Sequence, residues 1–136
     1  MLGPMRVVHL CRHATAAPGD PDELRELTPA GVDQAKTLAR RLAASPNRPA
    51  TVLTSPLVRA RQTAEILAEE TGAELKVEPL LAPGATAHEL RRAVAGVVGA
   101  VATVGHQPDC SEIALALTGR DAGFAPGGTL EVELDG

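Results

Sequence analysis

The apolar positions of the chain fall into short unbroken runs that alternate with longer stretches at helical spacing. Val7-Val8-His9-Leu10-Cys11 is mostly β-favouring and continuous rather than alternating, which predicts a central strand buried on both faces of a parallel sheet. A polar loop containing Pro and Gly follows over residues 14–27. Thr28-Pro29 has the form of an N-cap and first helical residue. Val32, Ala35, Ala39, Leu42 and Ala43 then keep a helical period until Ser45-Pro46 stops it. Thr51-Val52-Leu53-Thr54 predicts a second strand. Ser55-Pro56 repeats the cap-and-proline start, and Leu57, Ala60, Ala64, Leu67 and Ala68 line one face of a helix ending at Gly72. Residues 74–78 suit an edge strand, residues 79–85 a loop and residues 86–98 a further helix. Residues 100–104 predict another buried strand, which runs into Gly105-His106-Gln107-Pro108 and a helix to about Leu117, closed by Gly119. Residues 129–134 alternate as a terminal strand. Strands alternating with helices predict the α/β class, a three-layer α/β/α sandwich on a largely parallel sheet, with ligands bound beyond the carboxyl ends of its strands.

Length and composition narrow this picture. A chain of 136 residues suits one domain, spanning residues 1–136. At that size roughly two-thirds of the unfolded surface can be buried, so neither disulfides nor a structural metal are required. Phe124 is the only aromatic, so the core must be built from Ala, Val and Leu. With 13 basic against 17 acidic side chains and almost no stacking rings, single-stranded nucleic acid is a poor partner. The two cysteines, Cys11 and Cys110, are too few and too far apart for a disulfide framework or zinc knuckle. Cys11 reads as a small hydrophobe, and Cys110, in more polar company, is either the same or a reactive thiol. Met1 to Pro4 lack the form of a leader, and no run approaches the ~18 apolar residues of a membrane span. The expectation is a cytoplasmic protein with no membrane partner.

Three segments place titratable groups just past a strand: Arg12-His13, Arg59 in the first turn after the second strand, and His106. In a parallel sheet these side chains converge at one rim, where two guanidinium groups and two imidazoles make an anion site that suits phosphate. Each has a plainer alternative. A strand-end His is often only hydrogen-bonded, and Arg59 with Arg61 can form a solvated face, Arg61 pairing with Glu65. Yet a basic side chain at a helix N-terminus opposes the macrodipole by about 0.3–1 kcal/mol, which favours a bound anion at Arg59.

These residues also carry a resemblance. Leu10-Cys11-Arg12-His13 resembles the strand and Arg-His motif of the histidine phosphatase (phosphoglycerate mutase-like) superfamily. The string from Ser55-Pro56-Leu57 through Arg59-Ala60 to Gln62-Thr63-Ala64 resembles its second signature, and Val104-Gly105-His106-Gln107-Pro108 its third. The short length and residues 22–31 are most similar to the small SixA-type phosphohistidine phosphatases, which implies a phosphoglycerate mutase-like fold without a cap insertion. The resemblance implies His13 as the nucleophile that is transiently phosphorylated, with Arg12, Arg59 and His106 around the phosphoryl oxygens. It implies no cofactor and no metal, since the arginines take the place of Mg²⁺, and a protonated His106 would add a third positive group. Asp20, Asp22, Glu23 and Glu26 share a loop that reads as solvated rather than as a metal cage.

Several residues stay open at this level. Thr15 either donates to phosphate or forms a turn. Arg25 either contacts substrate at the pocket mouth or pairs with Glu26 or Asp22. His9 and His88 read as structural or surface residues, and Gly127-Gly128 as a turn whose amides can approach the pocket. Larger superfamily members resemble enzymes with a carboxylic acid on an inserted segment. Here Glu78 and Glu89 are the nearest candidates in the short interval before residue 101, and neither has the matching context. An alkoxide leaving group needs a proton that a phosphohistidine imidazole needs far less. A pocket without an acid should therefore prefer protein phosphohistidine, unless Asp22 folds back to supply one. The partners expected are thus a phosphorylated protein or a small phosphorylated substrate, with inorganic phosphate as product. A phosphatase for small monoesters and a non-catalytic phosphate-binding module are the competing readings.

Overall fold

The computed structural model describes residues 5–135, so Met1 to Pro4, on which the leader expectation rests, lie outside the described residues. Strands β1 (Met5–Arg12), β2 (Thr51–Thr54), β3 (Glu74–Val77), β4 (Val101–Gly105) and β5 (Thr129–Asp135) form one sheet in the order β3-β2-β4-β1-β5. All neighbours pair parallel except β5, which runs antiparallel to β1 at the sheet edge. The continuous apolar runs are the three middle strands, buried on both faces. The alternating terminal run is the edge strand, with Val132 and Leu134 inward and Glu131 and Glu133 outward.

Helices α1 (Pro29–Ala43) and α2 (Val58–Thr71) cover one face, and α3 (Ala87–Val94) and α4 (Asp109–Thr118) the other. On the first face Leu38, Leu42 and Leu67 pack on Val52, Ala102 and Val104. On the second Leu90, Ile113 and Phe124 pack on Val8, Leu10 and Leu53. The result is the three-layer α/β/α sandwich of the phosphoglycerate mutase-like fold. Between β3 and β4 the chain holds only a short 3₁₀ turn (Pro79–Leu81) and α3, with no inserted cap.

Two boundaries differ from the sequence pattern. The Ser55-Pro56 start does not cap α2: the helix begins at Val58, and Leu57 at the N-cap offers no side-chain bond. The Ser55 hydroxyl is used elsewhere. The third helix ends at Val94 rather than near residue 98, and Val98 is 87% exposed. Gly96 and Gly99 flank that exit, and Gly99 has a φ of +80° that a helix cannot contain. Thr86 does begin α3, in a capping box with Glu89.

Candidate active site

The register of the sheet assembles the site. Cys11 lies opposite Val104, and Val104 opposite Thr54, so β1, β4 and β2 end at one level. Backbone bonds lock the next residues together: the His13 amide donates to Gly105 O at 3.0 Å and the Ser55 amide to Val104 O at 3.0 Å. Arg12, His13, Ser55 and His106 therefore leave the sheet side by side, and α2 brings in Arg59 one turn later. The structure brings together all four residues singled out as an anion site.

His13 is held in one tautomer. Its Nδ1 lies 2.7 Å from Ala14 O, and a carbonyl only accepts, so Nδ1 carries the proton. Nε2 keeps its lone pair and accepts from Arg59 Nε at 3.3 Å. Burial, with the charges of Arg59, Arg12 and Arg25, pushes the ring's pKa below the ordinary imidazole value against the opposing bond to Ala14. The ring is a neutral base at pH 7. Arg12 donates from Nη1 to Phe124 O at 2.9 Å, while its buried Nε has no partner.

Arg59 is buried in the first turn of α2, where its charge opposes the helix dipole. Asp22 answers that charge: Nη1 donates to Asp22 O at 2.9 Å and Nη2 to Asp22 Oδ2 at 3.2 Å. Arg25 Nη1 donates to the other carboxylate oxygen at 3.0 Å, and its Nε to Ala17 O. One guanidinium thus reaches the His13 lone pair and a carboxylate oxygen at once. The hydrogen bond from Arg25, then the charge and bond of Arg59, hold the Asp22 carboxyl below its ordinary range. Asp22 is a carboxylate at neutral pH and has no proton to give as a general acid. Among the earlier options for Arg25, pairing with Asp22 is the one observed.

His106 is also neutral. Burial, then the proximity of His13 and Arg59, lowers its pKa to about 4. The expected third positive charge is absent, because burial disfavours a charged ring there and the neighbouring His13 and Arg59 add to that penalty, against a smaller opposing pull from Asp22. The two rings lie 5.2 Å apart between centroids.

The remaining open residues take plainer roles. Thr15 does not present its hydroxyl to the site: both its amide and Oγ1 donate to Gln34 Oε1, at 2.9 and 3.0 Å. Glu78 caps the 3₁₀ turn through Leu80 N, and Glu89 is spent in the capping box. Cys11 and Cys110 are buried, and burial raises each thiol to about 12, so neither is a reactive thiolate. His9 is buried with Nε2 on Asn47 O, and His88 is exposed. The Gly127 amide reaches His13 O, and Gly128 O takes the Arg12 amide, so this pair braces the site through the backbone. Among the described residues, no group of three or more His, Cys, Asp or Glu side chains is placed to hold a metal ion.

Sequence reasoning missed the residues that hold the loop after His13. Thr63 Oγ1 accepts from the Ala14 amide and donates to Arg59 O. Gln62 Oε1 accepts from Leu27 N. Gly31 lies so close to the loop that a Cβ there would fall 2.1 Å from Thr15 O. A usable signal existed: Arg59 and Thr63 stand one helical turn apart beside the apolar Ala60 and Ala64, so α2 buries a polar stripe.

A family model described as the histidine phosphatase superfamily, branch 1, matches residues 8–83, more than half of the chain. The chain belongs to that superfamily. Its fold is close to those of two proteins described as SixA phosphohistidine phosphatases. The one from Agrobacterium tumefaciens is 28% identical, with a TM-score of 0.79 over 92% of this chain and 89% of the other. The one from Nakamurella multipartita is 28% identical, with a TM-score of 0.78 over 98% of this chain and 87% of the other. A mycobacterial glucosyl-3-phosphoglycerate phosphatase shares the fold alone, at 21% identity and a TM-score of 0.71 over 93% and 90% of the two chains. A curated relative, an uncharacterized protein of Picosynechococcus sp., is 44% identical over 68% of this chain, which spans 59% of that relative's length. No helix among the described residues is long and apolar enough to cross a membrane.

Proposed function

We propose that this chain is a phosphatase that removes the phosphoryl group from phosphohistidine on a protein, with His13 as the nucleophile. The observation that carries the reading is the state of His13: Nδ1–H is tied to Ala14 O, and the Nε2 lone pair faces the Arg59 guanidinium. In the first step Nε2 attacks phosphorus, the bond from phosphorus to the substrate imidazole breaks, and the departing nitrogen takes a proton from solvent at the open rim, which the attacking water returns in the second step. In the second, water attacks phosphorus, the bond to His13 breaks, and inorganic phosphate leaves with the ring restored. Arg12 and Arg59 neutralise the phosphoryl oxygens that would otherwise repel the incoming lone pair. In this scheme they supply the charge a divalent cation would bring, so turnover should persist with chelator present.

The charge state of Asp22 supports a nitrogen leaving group. A carboxylate accepts a hydrogen bond from an imidazole N–H but cannot protonate an alkoxide. The open rim, with no inserted cap, leaves room for a phosphorylated segment of a protein.

The test is rapid quench with labelled phosphoramidate, followed by a panel of phosphohistidine, sugar phosphates and aryl phosphates run with chelator. Acid-labile label on His13 and faster turnover of phosphohistidine are expected. Faster turnover of sugar phosphates would move the assignment to small monoesters. Tight phosphate binding with neither label nor turnover would leave a binding module.

A further inference from the structure

We infer that Ser55 is a positioning residue that fixes the tautomer of His106, so that the ring meets the phosphoryl group as a neutral Nδ1–H donor. The inference rests on the reading of the site as a phosphate site, and on three observations of geometry.

First, Ser55 is fully buried, with 0% of its surface exposed, and its Oγ lies 2.7 Å from His106 Nε2. Second, the hydrogen-bond inventory of Ser55 gives the direction of that bond. Its Oγ accepts from the Leu57 amide at 3.3 Å, and among the described residues His106 Nε2 is the one acceptor within reach of its proton. The hydroxyl therefore donates to Nε2, and in a neutral ring the proton must sit on Nδ1. Third, His106 Nδ1 is buried and has no partner. A buried donor without an acceptor is unfavourable unless a ligand supplies one.

The arrangement mirrors that of His13. There a backbone carbonyl holds Nδ1 and leaves Nε2 as a lone pair for attack. In His106 a hydroxyl holds Nε2 and leaves Nδ1–H as a donor. Two neutral rings 5.2 Å apart thus differ in role because their partners differ in hydrogen-bonding sense. Burial keeps His106 uncharged, which matches a ring that donates through tautomer rather than through charge. The position of Ser55 suits this task, since its amide is pinned to Val104 O and its placement relative to His106 is set by the sheet.

The experiment is long-range nitrogen–proton NMR of the imidazole rings in the ligand-free protein and in Ser55→Ala, with the His106 signals assigned through His106→Gln. The expected result is a pyrrole-type Nδ1 and a pyridine-type Nε2 for His106 in the parent protein, and a mixture of tautomers in Ser55→Ala. With a phosphoramidate substrate, Ser55→Ala should lose roughly tenfold in kcat with KM within about twofold, the loss of one oriented hydrogen bond. Ser55→Thr, which keeps the hydroxyl, should restore the Nδ1–H form. A parent ring protonated on Nε2, or a ring unmoved by Ser55→Ala, overturns the inference. These spectra need no substrate. A protein with the Nδ1–H ring but no turnover on any phosphate compound would therefore defeat the phosphatase reading and leave the assignment of Ser55 standing.

Discussion

The rim of the site is built from two regions of opposite character. On one side stand the ends of β1, β2 and β4 with the first turns of α2, where Ser55, Arg59, Thr63 and His106 are buried and bonded to the sheet or to one another. On the other side lies the loop over residues 14–28, whose Asp22 side chain is 57% exposed and is held by two arginines. The buried region holds its groups at fixed distances, which the proposed phosphoryl transfer would require. The exposed loop fixes a charge beside Arg59, and in the proposed function that charge would sort substrates.

That division can be broken by substitution, beginning with the buried side. His13→Ala should abolish turnover while inorganic phosphate still binds, as measured by steady-state kinetics beside calorimetry. Near-native activity in this variant would remove the nucleophile assignment. Arg59→Ala should lower kcat by roughly a hundredfold to a thousandfold and weaken phosphate binding as well. A change in KM alone would place Arg59 with the loop rather than with the machinery.

Acid titration sharpens the comparison further. The His13 pKa lies below the ordinary imidazole value, so its lone pair stays free as pH falls through about 6.5. Activity of the free protein should hold through that point and decline only at lower pH, by about tenfold per unit once His13 protonates. An NMR titration placing the His13 midpoint at or above the ordinary value would contradict this. The smallest effect is expected on the exposed side. Asp22→Asn removes a competing negative charge from Arg59 and should tighten phosphate binding by roughly twofold to fivefold at low salt. It should also reduce the preference for phosphohistidine over aryl phosphate. An unchanged ratio of kcat/KM values would separate Asp22 from selectivity.

The sheet was legible in the sequence because its middle strands are unbroken apolar runs, and the cluster because Arg12, His13 and His106 follow those runs directly while Arg59 stands in the first turn of the helix after the second strand. The ties between segments were not legible. Ser55-Pro56 has the local form of a helix cap, and only the neighbouring strand shows that its hydroxyl serves His106. Thr15 stays open between phosphate donor and turn former until Gln34, from α1, takes its hydroxyl. The fate of His106 depended on burial, which local sequence does not reveal. In each case the deciding partner lies far along the chain, where spacing rules have no reach.

One detail of β1 bears on how the reaction would be restrained. The buried Arg12 Nε, which finds no acceptor among the described residues, would in the proposed function donate to a phosphoryl group and to released orthophosphate alike. Turnover should consequently slow as orthophosphate accumulates, competitively with substrate, and progress curves should bend early and straighten when phosphate is scavenged. Under that reading, the donors that would stabilise the reacting group would also hold the product and so curb further turnover.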